Sequence, residues 1–137
     1  MSPFELGHPR TELRRSLVAA VLRGEKTSTS SLRQHYRPHT DEELPQVGER
    51  LAMLDFDDRP VAVIEVTEVR VIPAGEVDLQ FARDEGEGFE TVAAWRSAHE
   101  PFWAPVIVSD ATLVVAQRFR LVEHGNPQEI AVVRTHC

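Results

Sequence analysis

The clearest hydrophobic pattern in the chain is TELRRSLVAAVLR, residues 11–23. Leu13, Leu17, Ala20, Val21 and Leu22 recur at three- and four-residue steps and put an apolar stripe on one helix face. Thr11 suits the N-cap. Gly24 suits the position just past the end, where a left-handed backbone closes a helix cheaply. TSTSSL follows, with threonines at alternating positions, and reads as the start of a strand. Residues 33–48, RQHYRPHTDEELPQVG, carry two prolines, mixed charge and Tyr36 and read as a loop; connections this long are often functional. ERLAMLDF and VAVIEVTEVRVI flank the turn DDRP and predict a hairpin. Pro73-Ala74-Gly75 breaks the sheet. A short helix is expected at 78–84, closed by Gly86 and Gly88. Residues 90–103, ETVAAWRSAHEPFW, form a second amphipathic helix with Val92, Trp95 and His99 on one stripe and both tryptophans expected in the core. ATLVVAQRFRLV, 111–122, is a strand with imperfect alternation from Val115 onward. IAVVR, near the end, is one more short strand or a tail.

Strands outnumber helices and lie apart from them in sequence, which predicts an α+β fold with a strongly bent sheet or small barrel. Residues 1–137 read as one domain, with its core at about 11–122 and the remainder a tail or extra strand.

Composition narrows the class without changing this picture. A chain of 137 residues is long enough to bury one core without staples. No apolar run approaches the ~20 residues that span a bilayer. The opening MSPFELGHPR lacks the apolar segment of a secretory signal, and Cys137 has no partner for a disulfide. A reducing, cytoplasmic setting is expected. The net charge of −7 is unevenly spread. Residues 1–40 hold seven Lys/Arg against three acids, whereas the remainder holds eight against nineteen. A long duplex would be repelled, yet a local basic face could still hold a nucleotide. Arg14 and Arg15 fit a solvated helix face equally well.

Familiar catalytic templates are absent: no GxGxxG, P-loop, HExxH, CxxC or GxSxG. His35 and His39 are four apart, but Pro38 lies between them, which disfavours a helical metal face; no metal or cofactor is expected. Attention falls on Lys26, the only lysine among fourteen arginines, placed before five hydroxyl residues, Thr27 to Ser31. An ammonium can be tuned toward neutrality where a guanidinium cannot. Plain compositional bias would also explain its rarity. The helix's carbonyl end favours the protonated amine at Lys26, and burial favours the neutral one. Thr29 could converge on Lys26 in a turn; an extended backbone would point the two to opposite faces. Glu85 and Glu87, in DEGEG, could complete such a set with a carboxylate, or could be a solvated turn.

GEKTST after an amphipathic helix, then IEVTEV, then FARDEGEGFETVAAWRSAHEPFW, resembles the ASCH domain family over roughly residues 11–122. The resemblance implies a PUA-like β-barrel with flanking helices and is nearest to small stand-alone bacterial members. One small branch of that family removes the acetyl group from N4-acetylcytidine. Its set is a lysine, a threonine three residues later and a glutamate downstream of an IEVT strand. Carried onto this chain, these fall on Lys26, Thr29 and Glu85, with the strand glutamate at Glu65. The resemblance then implies an amidohydrolase with Thr29 as nucleophile, Lys26 as its activator and Glu85 as proton shuttle. Arg23, Ser30, Ser31, Arg33, Tyr36, Glu65 and Trp95 are the expected substrate contacts. The alternatives are an RNA-binding or RNA-cleaving module, with arginines on phosphate and Tyr36 or Trp95 stacking a base, or a non-catalytic ligand sensor. The expected partner is a nucleoside-like ligand or single-stranded RNA.

Overall fold

A computed structural model of the chain describes residues 2–4, 6 and 12–124. Thr11 and the IAVVR segment lie outside the described residues. The first amphipathic pattern is helix α1, Glu12–Leu22, and Gly24 follows it with φ +80°. Its buried side chains are Leu17, Val18, Ala20 and Val21, joined by Arg14. Leu13 and Leu22 stay partly exposed, so the stripe is rotated by about one position from the expected one.

Five strands make one sheet: β1 Ser2–Phe4, β2 Ser28–Leu32, β3 Arg50–Leu54, β4 Pro60–Pro73 and β5 Leu113–His124. Their order is β1-β3-β4-β5-β2. β1 runs parallel to β3, and the other pairs are antiparallel, including the β3–β4 hairpin expected across DDRP. β1 was not anticipated; three residues are too few to show a period. Two more α-helices and two 3-10 turns, Arg33–His35 at the start of the expected loop and Ala74–Glu76, complete the described fold. α2, Leu79–Asp84, is capped by the Asp78 side chain, and α3, Val92–Trp103, by the Thr91 hydroxyl.

The expected barrel is corrected here: the sheet is open. Its outer strands, β1 and β2, pair with β3 and β5 and not with each other. A three-residue β1 offers too short a ladder to seal a barrel. Helix α1 instead covers that face: Leu17, Val18 and Val21 pack on Phe4, Leu51, Met53, Ile64, Val66 and Phe119. A second apolar cluster joins Leu32, Val114 and Ala116 to Phe81 of α2 and Trp95 and Trp103 of α3. Val114 and Ala116 alternate with Phe119 and Leu121 along β5, so the two clusters occupy opposite sheet faces. A register shift between Val66 and Glu68 swaps the parity of β4. Before it Ile64 and Val66 face the first cluster; after it Val69 does, and Ile72 turns to the second. Edge strand β2 leaves α1 and borders both faces, which is where polar side chains collect.

Candidate functional site

Lys26 follows the α1 exit and is 2% exposed. Its Nζ donates to the carbonyl oxygens of Ser28 at 2.8 Å and Glu85 at 3.2 Å, and stands 3.6 Å from Glu85 Oε1. Two donors of the ammonium thus reach carbonyls, and the carboxylate beside it is an ion-pair partner. Glu85 reaches this place because it ends α2 and Gly86 turns the chain at φ +74°. A β-carbon on Gly86 would come within 2.8 Å of Glu25 and Lys26 backbone atoms, so only glycine allows the approach. Thr27 N–H closes the junction on the Asp84 carbonyl at 2.7 Å.

The Glu85 carboxylate, 1% exposed, is saturated with donors. Oε2 accepts from the Trp95 indole N–H and, at 2.8 Å, from the Ser30 hydroxyl. Oε1 faces His99 Nε2 at 3.5 Å. Burial would raise the Glu85 pKa, but the His99 hydrogen bond, the Lys26 and His99 charges and the indole N–H outweigh it and hold the group below 4.5. His99 is the counterpart. Burial pushes it down, and the bond to Glu85, its charge and the Trp95 carbonyl carry it above 6.5. That carbonyl lies 2.7 Å from Nδ1 and can only accept, so Nδ1 carries a proton. The imidazole packs between the Trp95 and Trp103 rings, each with centroids 4.9 Å away. Its Nε2 is also 3.5 Å from Ser30 Oγ.

Lys26, Thr29 and Glu85 line one cleft of about 850 Å³, within the range of small-molecule sites. The cleft bends around β2. Ser28 and Ser30 point to the α2–α3 side, where Ser28 Oγ donates to the Phe81 carbonyl and Ser30 meets Glu85. Strand alternation puts Thr29 and Ser31 on the α1 side. There Ser31 Oγ and Tyr36 Oη are 2.7 Å apart, and Thr29 pairs across the ladder with Gln117. The hydroxyl already hydrogen-bonded to the carboxylate is therefore that of Ser30.

Ser30, Ser31 and Tyr36 line the cleft with the three residues above; Arg23, Arg33, Glu65 and Trp95 are placed elsewhere. Arg23 pairs with Glu25, and Arg33 donates to the Arg37 carbonyl. Glu65 bridges Arg50 and Arg120. Trp95 is wholly buried and offers a ligand no face to stack on. Arg14, which fitted a solvated helix face as well as a basic binding face, is on neither and is 1% exposed. The basic N-terminal third is largely neutralised by ion pairs, since Arg15 pairs with Glu12, Arg37 with Glu43 and Arg14 with Asp58. Glu42, Glu43, Glu49, Glu85 and Glu87 line the cleft, and Lys26 is the single fixed cation among its lining.

His99 and Gln117 were given no role from sequence. His99 sits on the apolar stripe of α3 beside Trp95. Gln117 interrupts the apolar register of β5 between Val115 and Phe119. A polar side chain at a buried register position was the available signal for both. Among the described residues, Glu85, Glu87 and His99 form a three-ligand cluster with donor atoms within 4.8 Å of one another. Lys26 beside Glu85 already supplies positive charge there, which disfavours a cation.

An open five-stranded α+β domain with a polar cleft at its edge strand defines the class. The ASCH domain family matches residues 5–123, and the chain belongs to that family. It is similar to the ASCH domain from Lactobacillus crispatus JV V101, with 31% identity over 80% of this chain and 72% of that one, TM-score 0.71. It is also similar to protein EF3133 from Enterococcus faecalis V583, with 29% identity over 95% of this chain and 81% of that one, TM-score 0.82. No curated protein matches it. No helix among the described residues is long and apolar enough to cross a membrane.

Proposed function

We propose that the protein is a small amidohydrolase that removes an acyl group from a nucleoside-like amide such as N4-acetylcytidine. The supporting observation is that Lys26, Thr29 and the Glu85 carboxylate open on one acid-rich cleft. With Glu43 paired to Arg37 and Glu85 to Lys26, Glu42, Glu49 and Glu87 remain in the lining, which disfavours a polyphosphate chain and accepts a neutral ligand. The family is associated with nucleic-acid binding, and RNA binding or cleavage is the competing reading. Against it stand the ion-paired arginines and the buried Trp95. Tyr36 and the half-exposed Phe102, at the cleft wall, are aromatic rings left for a base to meet.

In this reading Thr29 Oγ1 attacks the acyl carbon. Lys26 gives a proton to Glu85 and takes the Thr29 proton in its place; Glu85 protonates the departing exocyclic nitrogen, and the C–N bond breaks. Water then cleaves the acyl–threonine ester, releasing the carboxylic acid and restoring the hydroxyl. Ser30 is the competing nucleophile because its hydroxyl already donates to Glu85.

The test is turnover of N4-acetylcytidine by Thr29→Val and Ser30→Ala. Thr29→Val, nearly isosteric at a half-buried position, lowers kcat by about a thousandfold or more while Tm moves little. Ser30→Ala lowers it less. The reverse order transfers the nucleophile to Ser30. Wild-type protein that leaves acylated nucleosides intact while binding single-stranded RNA with a steep salt dependence sinks the amidohydrolase reading.

A further inference from the structure

Gln117 lies in the middle of β5, with its side chain 5% exposed and lining the cleft. Its Nε2 has no hydrogen-bond partner among the described residues. A buried amide left this way is destabilising. Its neighbours on the sheet are Thr29, directly across the β2 ladder, and Val69, across β4. Directly paired residues point to the same face with β-carbons about 5 Å apart. The free amide is therefore next to the Thr29 hydroxyl, on the α1 side of the cleft. Val69 and Phe119, on the same face, belong to the apolar cluster and offer no acceptor. An apolar residue would fill this position better if packing were all it served.

We propose that Gln117 donates its carboxamide N–H to the acyl carbonyl oxygen of the bound ligand and holds the oxyanion that forms when Thr29 attacks. This assignment rests on the amidohydrolase reading. Attack at Thr29 Oγ1 moves the electron pair of the C=O bond onto oxygen, and an adjacent unpaired N–H stabilises that charge without reorganising an existing bond. A turn about the last side-chain torsion of Gln117 brings the N–H to the oxygen while the rest of the side chain stays in place.

The experiment compares Gln117→Met and Gln117→Glu with wild type. It measures turnover of N4-acetylcytidine, binding of the product cytidine and thermal stability. Gln117→Met lowers kcat by about a hundred- to a thousandfold with KM changed less than about threefold. Its Tm holds or rises, because a costly unpaired amide has been removed. Gln117→Glu loses at least as much activity, since a carboxylate cannot donate and repels the oxyanion. Cytidine lacks the acyl carbonyl, so its affinity is unchanged in Gln117→Met. Active wild type with Gln117→Met retaining kcat within threefold overturns this assignment and leaves the amidohydrolase reading standing. Loss of cytidine binding in Gln117→Met reduces the residue to a structural role and also overturns it. Wild type that neither hydrolyses N4-acetylcytidine nor binds cytidine removes both.

Discussion

Two cations are buried at opposite ends of helix α1, and they are tied down in different ways. Arg14, in the first turns, donates to the Leu6 carbonyl at 3.0 Å, the Asp55 carbonyl at 3.3 Å and the Asp58 carboxylate at 2.6 Å. Asp58 is half-exposed at a turn, so water shares the charge. Lys26, past the last turn, meets a carboxylate that is itself almost wholly buried and that three further groups contact. Arg14 joins the helix start to the β3–β4 turn. Lys26 joins its exit to a cleft holding an imidazole, the Thr29, Ser30 and Ser31 hydroxyls and an unpaired amide. Burial of a charge is thus a poor sign of chemistry; the company the charge keeps is the better one.

The largest separation between the two ends comes from removing the carboxylate. Glu85→Gln leaves Lys26 and His99 without their counter-charge and costs about 3–5 kcal/mol in urea unfolding. That is a Tm loss of roughly 10–15 °C, with activity abolished. Arg14→Met orphans two carbonyls, costs about 1–3 kcal/mol and leaves kcat near wild type. Equal losses of activity in the two variants would erase the contrast.

Glycines sharpen it next. Gly86→Ala brings a methyl against the Glu25 and Lys26 backbone and adds a clash to the cost of a left-handed residue. It costs well over 2 kcal/mol and lowers activity. Gly24→Ala has nothing within 4 Å of the new carbon and loses only about 1–2 kcal/mol, with kcat preserved.

The smallest effect is in pH. Glu85 is held below 4.5, so its contribution to stability is complete above that value and disappears as pH falls through the folded pKa. His99 is held above 6.5, so its contribution is complete below that value and disappears as pH rises through the folded pKa. Both are full between 4.5 and 6.5. Urea midpoints against pH should therefore peak in this window. His99→Gln flattens the alkaline decline, whereas Arg14→Met keeps it. An unchanged alkaline limb in His99→Gln would assign the decline to another group.

Much of the fold was legible because its signals are local. The α1 stripe with Gly24 and the hairpin across DDRP each depend on a few neighbouring residues. The open sheet was not legible, because closure depends on whether β1 and β2 meet, and no short-range pattern records that. The rotation of α1 was missed for a related reason: Arg14 is buried only because Asp58 and two carbonyls arrive from elsewhere in the chain. In the site, Lys26 and Glu85 were found by rarity, glycine context and family resemblance. Their contact spans 59 positions and appears only in three dimensions. Thr29 and Ser30 could not be ranked from sequence, since the choice depends on which strand face meets the carboxylate.

The bond from Lys26 to the Ser28 carbonyl has a consequence beyond chemistry. Thr27 gives its carbonyl to Phe119 N–H inside the sheet at 3.1 Å, so the next carbonyl, that of Ser28, points outward from the terminal strand. An outward carbonyl on a terminal strand is a template for another molecule's backbone. The ammonium occupies it at 2.8 Å. The same amine that lines the cleft therefore closes this point of the terminal strand with a bond from within the chain.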